Sequence, residues 1–346
     1  MRIGLLTGGG DCPGLNAVIR AVARAAFTKG NDVVGVLDGW DGLVTGRFRE
    51  LGQREVTGIL PRGGTIIGTT RTNPYNVEGG VDNVLRHFEA EGLNALVAIG
   101  GEDTLGVANS LWQEHELPVV GVPKTIDNDL SGTDYTFGFD TAVAVCTEAI
   151  DRLHTTAESH NRVMVVEVMG RYTGWIGVMC GIAGGADAIL IPEQPVTVEQ
   201  TCADLQARHG RGKNFSIVVV SEGYKLRFDS GEEREVAEEW TRDQFGHIRL
   251  GGIGADLARE IEERTGFETR YTVLGHVQRG GSPTPRDRIL ATRFGLHAAR
   301  LVHEGRFGRM AALRGQDIVD VPLAEAVAER KTVPPEWYDV ARAFFG

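Results

Sequence analysis

Residues 3–37 read IGLLTGGGDCPGLNAVIRAVARAAFTKGNDVVGVL. Ile3 to Thr7 has the near-unbroken apolar character of a strand buried on both faces. Gly8-Gly9-Gly10-Asp11-Cys12-Pro13-Gly14 punctuates it as a turn, and Leu15 to Phe27 spaces its apolar residues as a helix does. Asp32 to Leu37 is a second apolar run. Strand, turn, helix, strand is a βαβ opening, and it predicts a parallel sheet. The glycine turn then lies past a strand's carboxyl end, where open α/β sheets bind their ligands.

The pattern continues outward from this unit. Pro61 to Tyr75 is a loop rich in Gly and Thr that carries Arg62 and Arg71. Val81 to Ala90 suits a helix and Ala95 to Ile99 a buried strand; Gly100-Gly101-Glu102-Asp103-Thr104 turns the chain into a helix reaching Leu111. Leu117 to Val122 is the next short strand, followed by Pro123-Lys124-Thr125-Ile126-Asp127-Asn128-Asp129. A second series begins with a helix over Phe139 to Leu153, for which Asp140 is the expected N-cap. Val163 to Val168, Ala188 to Ile191, Ser216 to Ser221 and Thr272 to Leu274 read as strands, and Arg288 to Glu304 as an amphipathic helix. Residues 226–250 are charged and without period, which predicts a surface excursion with some helix. No linker or short repeat separates the two series, so two related lobes are expected.

Composition narrows the function. The chain has 346 residues, 42% apolar and 24% charged, an ordinary soluble composition long enough for two domains. A net charge of -11 argues against nucleic-acid binding, yet a local basic pocket can still receive an anionic substrate. Cys12, Cys146, Cys180 and Cys202 show no CxxC spacing, which favours reduced thiols over a disulfide or zinc framework. No signal-peptide pattern or membrane-length apolar run is present, so a cytoplasmic protein without membrane partners is expected.

Three glycine-rich or polar strand ends in one parallel sheet converge at its carboxyl edge. Glycines let backbone N–H groups approach phosphate oxygens, and a following helix presents its positive end. At the third strand end Lys124 can neutralise a phosphate and Thr125 can donate to one. Asp127 and Asp129, if extended, face the same side, so that one can take a proton while the other helps hold a cation. The bland alternative is an Asx-rich turn. There is no GxxxxGK[ST] motif, and the first turn is not GxGxxG. Asp38, after the second strand, keeps a dinucleotide reading open, although Asp11 would sit against the pyrophosphate.

Gly8 to Asn16, Gly100 to Thr104, Pro123 to Asp129, Met169-Gly170-Arg171 and Gly275-His276-Val277-Gln278-Arg279-Gly280-Gly281 together resemble the 6-phosphofructokinases, in order from residue 1 to about 315. The resemblance implies two Rossmann-like α/β lobes of three layers with mostly parallel sheets. A phosphoryl-donor lobe would comprise 1–138 plus 278–328, and a fructose 6-phosphate lobe 139–277 plus 329–346. It implies magnesium-dependent transfer to the 1-hydroxyl of fructose 6-phosphate. Asp127 would be the general base, supported by Asp129, with Thr125, Arg71 and the Gly10 N–H on the transferred phosphoryl group and Arg171 stabilising its charge. Asp103, Thr104 and Lys124 would border the donor, and Glu102, standing where an aspartate is usual, would ligate Mg2+. Glu222, Met169 and Gly170 would contact the sugar. His276, Arg279, Arg162 and Arg270 would clamp its 6-phosphate, the last two reaching a neighbouring subunit's site in a homodimer or homotetramer.

Two departures bear on the donor. Asp103 and Lys124 stand where ATP-using members have glycine. Aspartate takes space beside a nucleotide's α-phosphate and repels it; two like charges about 4 Å apart cost roughly 4 kcal/mol at an effective dielectric near 20. Lys124 offers a cation to a short donor. The pair resembles the pyrophosphate-dependent, actinobacterial-type members, with an ATP-dependent enzyme as the alternative and a non-catalytic sugar-phosphate sensor as a remote one. Arg20, Arg24, Arg211 and Lys213 match basic positions of the family's effector site, but His154 replaces an arginine there, which implies weak regulation.

Overall fold

The computed structural model describes residues 1–235, 237–242 and 248–345. The chain forms two compact units, Met1–Thr141 with Arg279–Arg330, and Ala142–Arg242 with Ile248–Gln278 and Lys331–Gly346. Strands run in order β1 (Arg2–Thr7), β2 (Asp32–Val36), β3 (Phe48–Glu50), β4 (Ala95–Gly100), β5 (Val119–Thr125) and β6 (Phe137–Gly138). Then come β7 (Val163–Val168), β8 (Ala188–Leu190), β9 (Ser216–Ser221), the short β10 (Leu226–Arg227), β11 (Glu233–Arg234), β12 (Ala237–Arg242) and β13 (Ile248–Leu250), and β14 (Thr269–Val273). β15 (Arg309–Arg314) and β16 (Asp317–Pro322) close the series.

The first unit holds a sheet in the order β16-β15-β5-β4-β1-β2-β3, with β6 paired to β5. Its centre is parallel, and only β3 and β16 run antiparallel at the edges. β4 is buried at every residue, as its unbroken ALVAIG run requires. Because β5, β4 and β1 are neighbours, their three carboxyl-terminal loops emerge side by side. The helix Leu15–Phe27 follows the first loop from Gly14, whose φ of 113° and the Phe137 ring 2.6 Å from any added Cβ admit only glycine. Helix Pro285–His303 packs on it closely enough that a Cβ on Gly295 would meet Ala21 at 2.8 Å.

The second unit holds a wholly parallel sheet in the order β14-β7-β9-β8. β7 and β9 lie inside and are buried throughout; β14 is an edge. Glu167, on β7, is buried at the start of helix Ile253–Thr265, where its carboxylate accepts from the N–H groups of Gly252 and Gly254 at 3.2 and 2.8 Å.

Several elements differ from the sequence reading. β5 does not stop at Val122 but carries Pro123, Lys124 and Thr125 inside the sheet, because Gly100 pairs with Pro123 and β6 pairs with Lys124 and Thr125. Asp140 is not a cap; it lies in the first turn of helix Phe139–His160 and accepts from the Thr284 hydroxyl. Residues 226–250 show antiparallel pairs β10–β11 and β12–β13 rather than helix among the described residues, and 236 and 243–247 lie outside those residues. No described helix is long and apolar enough to cross a membrane.

Candidate active site

The first unit gathers the residues that the sequence reading expects at the donor. Thr104, in the first turn of helix Glu102–His115, is buried and fills the space over two glycines; a Cβ on Gly8 or Gly100 would lie 2.5 or 2.3 Å from its side chain. The glycines of the first and second loops are thus required by one threonine. Thr69 Oγ1 donates to the Gly9 carbonyl at 2.7 Å and Gly9 N–H to the Thr70 carbonyl at 3.0 Å, which sews the Gly/Thr loop carrying Arg71 onto the first turn. Asn16 fastens the same loop from the helix side, donating to the Arg62 and Gly63 carbonyls and accepting from Ile66 N–H. Asn16 was inside the matched motif, but nothing local marked it as the loop's anchor.

Lys124 is buried, and its ammonium donates to the Gly10 carbonyl. Burial pushes it below its ordinary pKa and Arg279 adds to this, while Cys12, Asp11 and Asp127 oppose it. Arg279 reaches the same loop: it donates to the Asp11 carbonyl at 3.3 Å, and a Cβ on Gly10 would meet its guanidinium at 2.8 Å. The structure therefore seats Arg279 against the donor turn. Asp127 and Asp129 do not converge through an extended segment. Asn128 between them is left-handed at φ 52°, so a tight turn presents both. Thr125 Oγ1 accepts from Asp127 N–H at 3.0 Å, and Asn128 Oδ1 accepts from Thr136 N–H at 3.1 Å.

Burial pushes Asp129 up to about 7; repulsion from Asp127 adds to this and Arg330 works against it. Arg330 had no sequence signal. An antiparallel bridge between Leu130 and Arg330 brings it in, and its guanidinium lies 2.6 Å from Glu102 and 3.8 Å from Asp129. Among the described residues no three His, Cys, Asp or Glu side chains form a metal cage. Glu102, Asp127 and Asp129 are instead hard oxygen donors of the kind that share magnesium with substrate phosphates.

Asp103 borders a cleft of about 350 Å³ lined also by Asn73, Tyr75, Glu102, Gly106 and Ser110. Asp103 thus lines open space next to the second glycine turn. Asp38 is tied to Arg47 at 2.8 Å, a structural pairing that leaves the dinucleotide reading without support.

The second unit gathers most of the residues expected at the sugar at three neighbouring strand ends. β7 leads into Met169, Gly170 and Arg171, β9 into Glu222, and β14 into Gly275 and His276. Gly170 has φ 134°, and its carbonyl accepts from Gly223 N–H at 3.1 Å; Glu222 N–H donates to the Val168 carbonyl at 2.8 Å. The Arg171 guanidinium lies 5.8 Å from the Tyr172 ring centre. Arg162 and Arg270 both reach Glu268, each at 2.7 Å. Glu268, just before β14, was overlooked. His276 is exposed.

The chain's relatives agree with this architecture. The Phosphofructokinase family model matches residues 2–302. A pyrophosphate–fructose 6-phosphate 1-phosphotransferase of Streptomyces coelicolor is 58% identical over the whole of both chains. An ATP-dependent 6-phosphofructokinase of the same organism is 53% identical over 98% of each. The solved phosphofructokinase of Pichia pastoris superposes with a TM-score of 0.81 at 35% identity, covering 99% of this chain and 36% of that one. With three phosphate-suited loops on one parallel sheet and a family match across most of its length, the chain belongs to the phosphofructokinase family.

Proposed function

We propose that the chain is a pyrophosphate-dependent 6-phosphofructokinase, moving a phosphoryl group reversibly from diphosphate to the 1-hydroxyl of fructose 6-phosphate. The observation that carries this is the pair Asp103 and Lys124 on the donor loops, a carboxylate facing the cleft and a buried ammonium on Gly10. The named activity of the Streptomyces coelicolor relative supports it.

In this reading Asp127 takes the proton of the sugar hydroxyl. That oxygen bonds to the near phosphorus of diphosphate, and the bridging P–O bond breaks to release inorganic phosphate. Asp129, its carboxyl pushed up to about 7 by burial and by Asp127, sits beside Asp127 and supports it. Lys124, Arg71, Arg171, Thr125 and the Gly10 N–H neutralise the moving group, which is where catalysis of such in-line transfers lies. Mg2+, when bound with diphosphate, would be held by Glu102 and the aspartates and would offset phosphate charge. Met169, Gly170 and Glu222 hold the sugar, and His276, Arg162 and Arg270 its 6-phosphate, while Arg279, beside the Gly10–Asp11 turn, faces the donor side. Arg162 and Arg270 serve a neighbouring copy in a homodimer or homotetramer, in the cytoplasm.

A second reading, ATP as donor, is favoured by the open cleft beside Asp103 and by the ATP-dependent relative at 53% identity. Steady-state rates with each donor decide between them. Turnover with diphosphate and little with ATP is expected; the reverse would reject the proposal.

A further inference from the structure

The sugar-side loops leave the sheet from separate strands, and one buried side chain ties two of them together. Gln278 is wholly buried. Its Oε1 accepts from Met169 N–H and from the Cys146 thiol, both at 3.1 Å, and its Nε2 donates to the Gly275 carbonyl at 3.0 Å. A backbone N–H only donates and a carbonyl only accepts, so these partners fix which end of the amide faces which loop. A leucine or methionine would fill the same space without the cost of burying an amide, so its hydrogen bonds are the reason for a glutamine here.

Met169 and Gly170 are already joined to the Glu222 strand end by the bonds at Val168 and Gly170. Gln278 adds the third strand end, since Gly275 immediately precedes His276 and opens the short helical turn Gly275–Arg279. We infer that Gln278 is a positioning residue of the acceptor site: it holds the Met169–Gly170 turn and the Gly275–His276 turn in one arrangement and so sets affinity for fructose 6-phosphate without touching it. This rests on the proposed reading of those residues as sugar-phosphate contacts.

The test is fructose 6-phosphate binding by titration calorimetry, with steady-state constants for both substrates. Gln278→Met keeps length and volume but none of the three bonds, and small misplacements at a binding site are costly, so Kd and KM for fructose 6-phosphate should rise about tenfold. KM for diphosphate should stay within about twofold, because the interaction lost lies on the acceptor side. Gln278→Glu keeps the acceptor for Met169 and loses the donor to Gly275; it should fall between Gln278→Met and the wild type. If Gln278→Met fails to fold, Gln278→Glu carries the same comparison. Unchanged fructose 6-phosphate affinity in the folded variants, or an equal rise in both substrates' constants, would overturn the inference. A wild-type chain that does not bind fructose 6-phosphate would instead sink the functional reading on which it stands.

Discussion

The two units use one device with different finish. Each places three neighbouring parallel strand ends side by side, β5-β4-β1 in the first and β14-β7-β9 in the second. In the first, the loops are locked into the interior: Thr104 fills two glycines, Lys124 is buried on Gly10, and Asn16 and Thr69 pin the neighbouring loop. In the second, two of the basic side chains sit outside. Arg270 and His276 are exposed, and β14 presents Tyr271 and Val273 from an edge, 53% and 46% accessible. In the proposed reading, buried ammonium and packed glycines make a preorganised anion cradle, whose charges gain strength from low dielectric. Arg270, exposed on the edge strand, and the half-buried Arg162 before β7 are instead held from outside by Glu268.

That contrast breaks most visibly at the base. Asp127→Asn should lower kcat about 10³-fold with little change in either KM, the scale of a positioned general base. Equal losses in kcat and substrate affinity would make Asp127 a packing residue instead. The donor cradle gives the next effect. Asp103→Gly removes a charge facing the cleft, and even half of the roughly 4 kcal/mol repulsion is more than tenfold, so kcat/KM with ATP should rise at least about tenfold. Adding Lys124→Gly should lower kcat/KM with diphosphate by about 10²-fold, since it removes a buried cation aimed at the donor loop. A double variant as active with diphosphate as the wild type would remove the argument for that donor.

A third test reads stability. The fold raises Asp129 from 3.8 to about 7, so folding favours its protonated form. Stability from this group is complete below its ordinary pKa and is lost as pH rises through about 7. Asp129→Asn should therefore match the wild type near pH 4 in a thermal melt and exceed it at pH 8. A difference that is constant with pH would show that the carboxylate is not strained by its neighbours.

How far the sequence carried can be read from particular residues. Val163–Val168 and Ser216–Ser221 appear as strands at the limits their apolar runs imply, because strands buried on both faces announce themselves without reference to neighbours. The inclusion of Lys124 and Thr125 in β5 depends on register with β6, which local pattern cannot supply. The hairpin strands after Leu226 carry charges without period, so nothing distinguished them from a surface coil. The residues proposed for the donor could be named because they lie in short contiguous motifs. Arg330 arrives from some 200 positions downstream through a single bridge to Leu130, and only the folded chain reveals it.

The smallest expected effect belongs to the exposed side. Glu268 holds Arg162 and Arg270 at a common distance, and the arginines hold its carboxyl below the usual range, Arg162 most strongly. Exposed ion pairs contribute little, so Glu268→Gln should raise KM for fructose 6-phosphate only about threefold and leave donor constants alone. Its direction is informative. If Glu268 merely competed with the sugar's phosphate for the two arginines, removing its charge would lower KM; if it fixes their spacing, KM rises. Salt separates the cases further, because at about 0.5 M ionic strength the tether is screened in the wild type as well and the two proteins should converge. A fall in KM, or a difference that survives high salt, would mean that the arginines are placed by the rigid strand ends, as on the donor side, and the contrast between the two units would narrow.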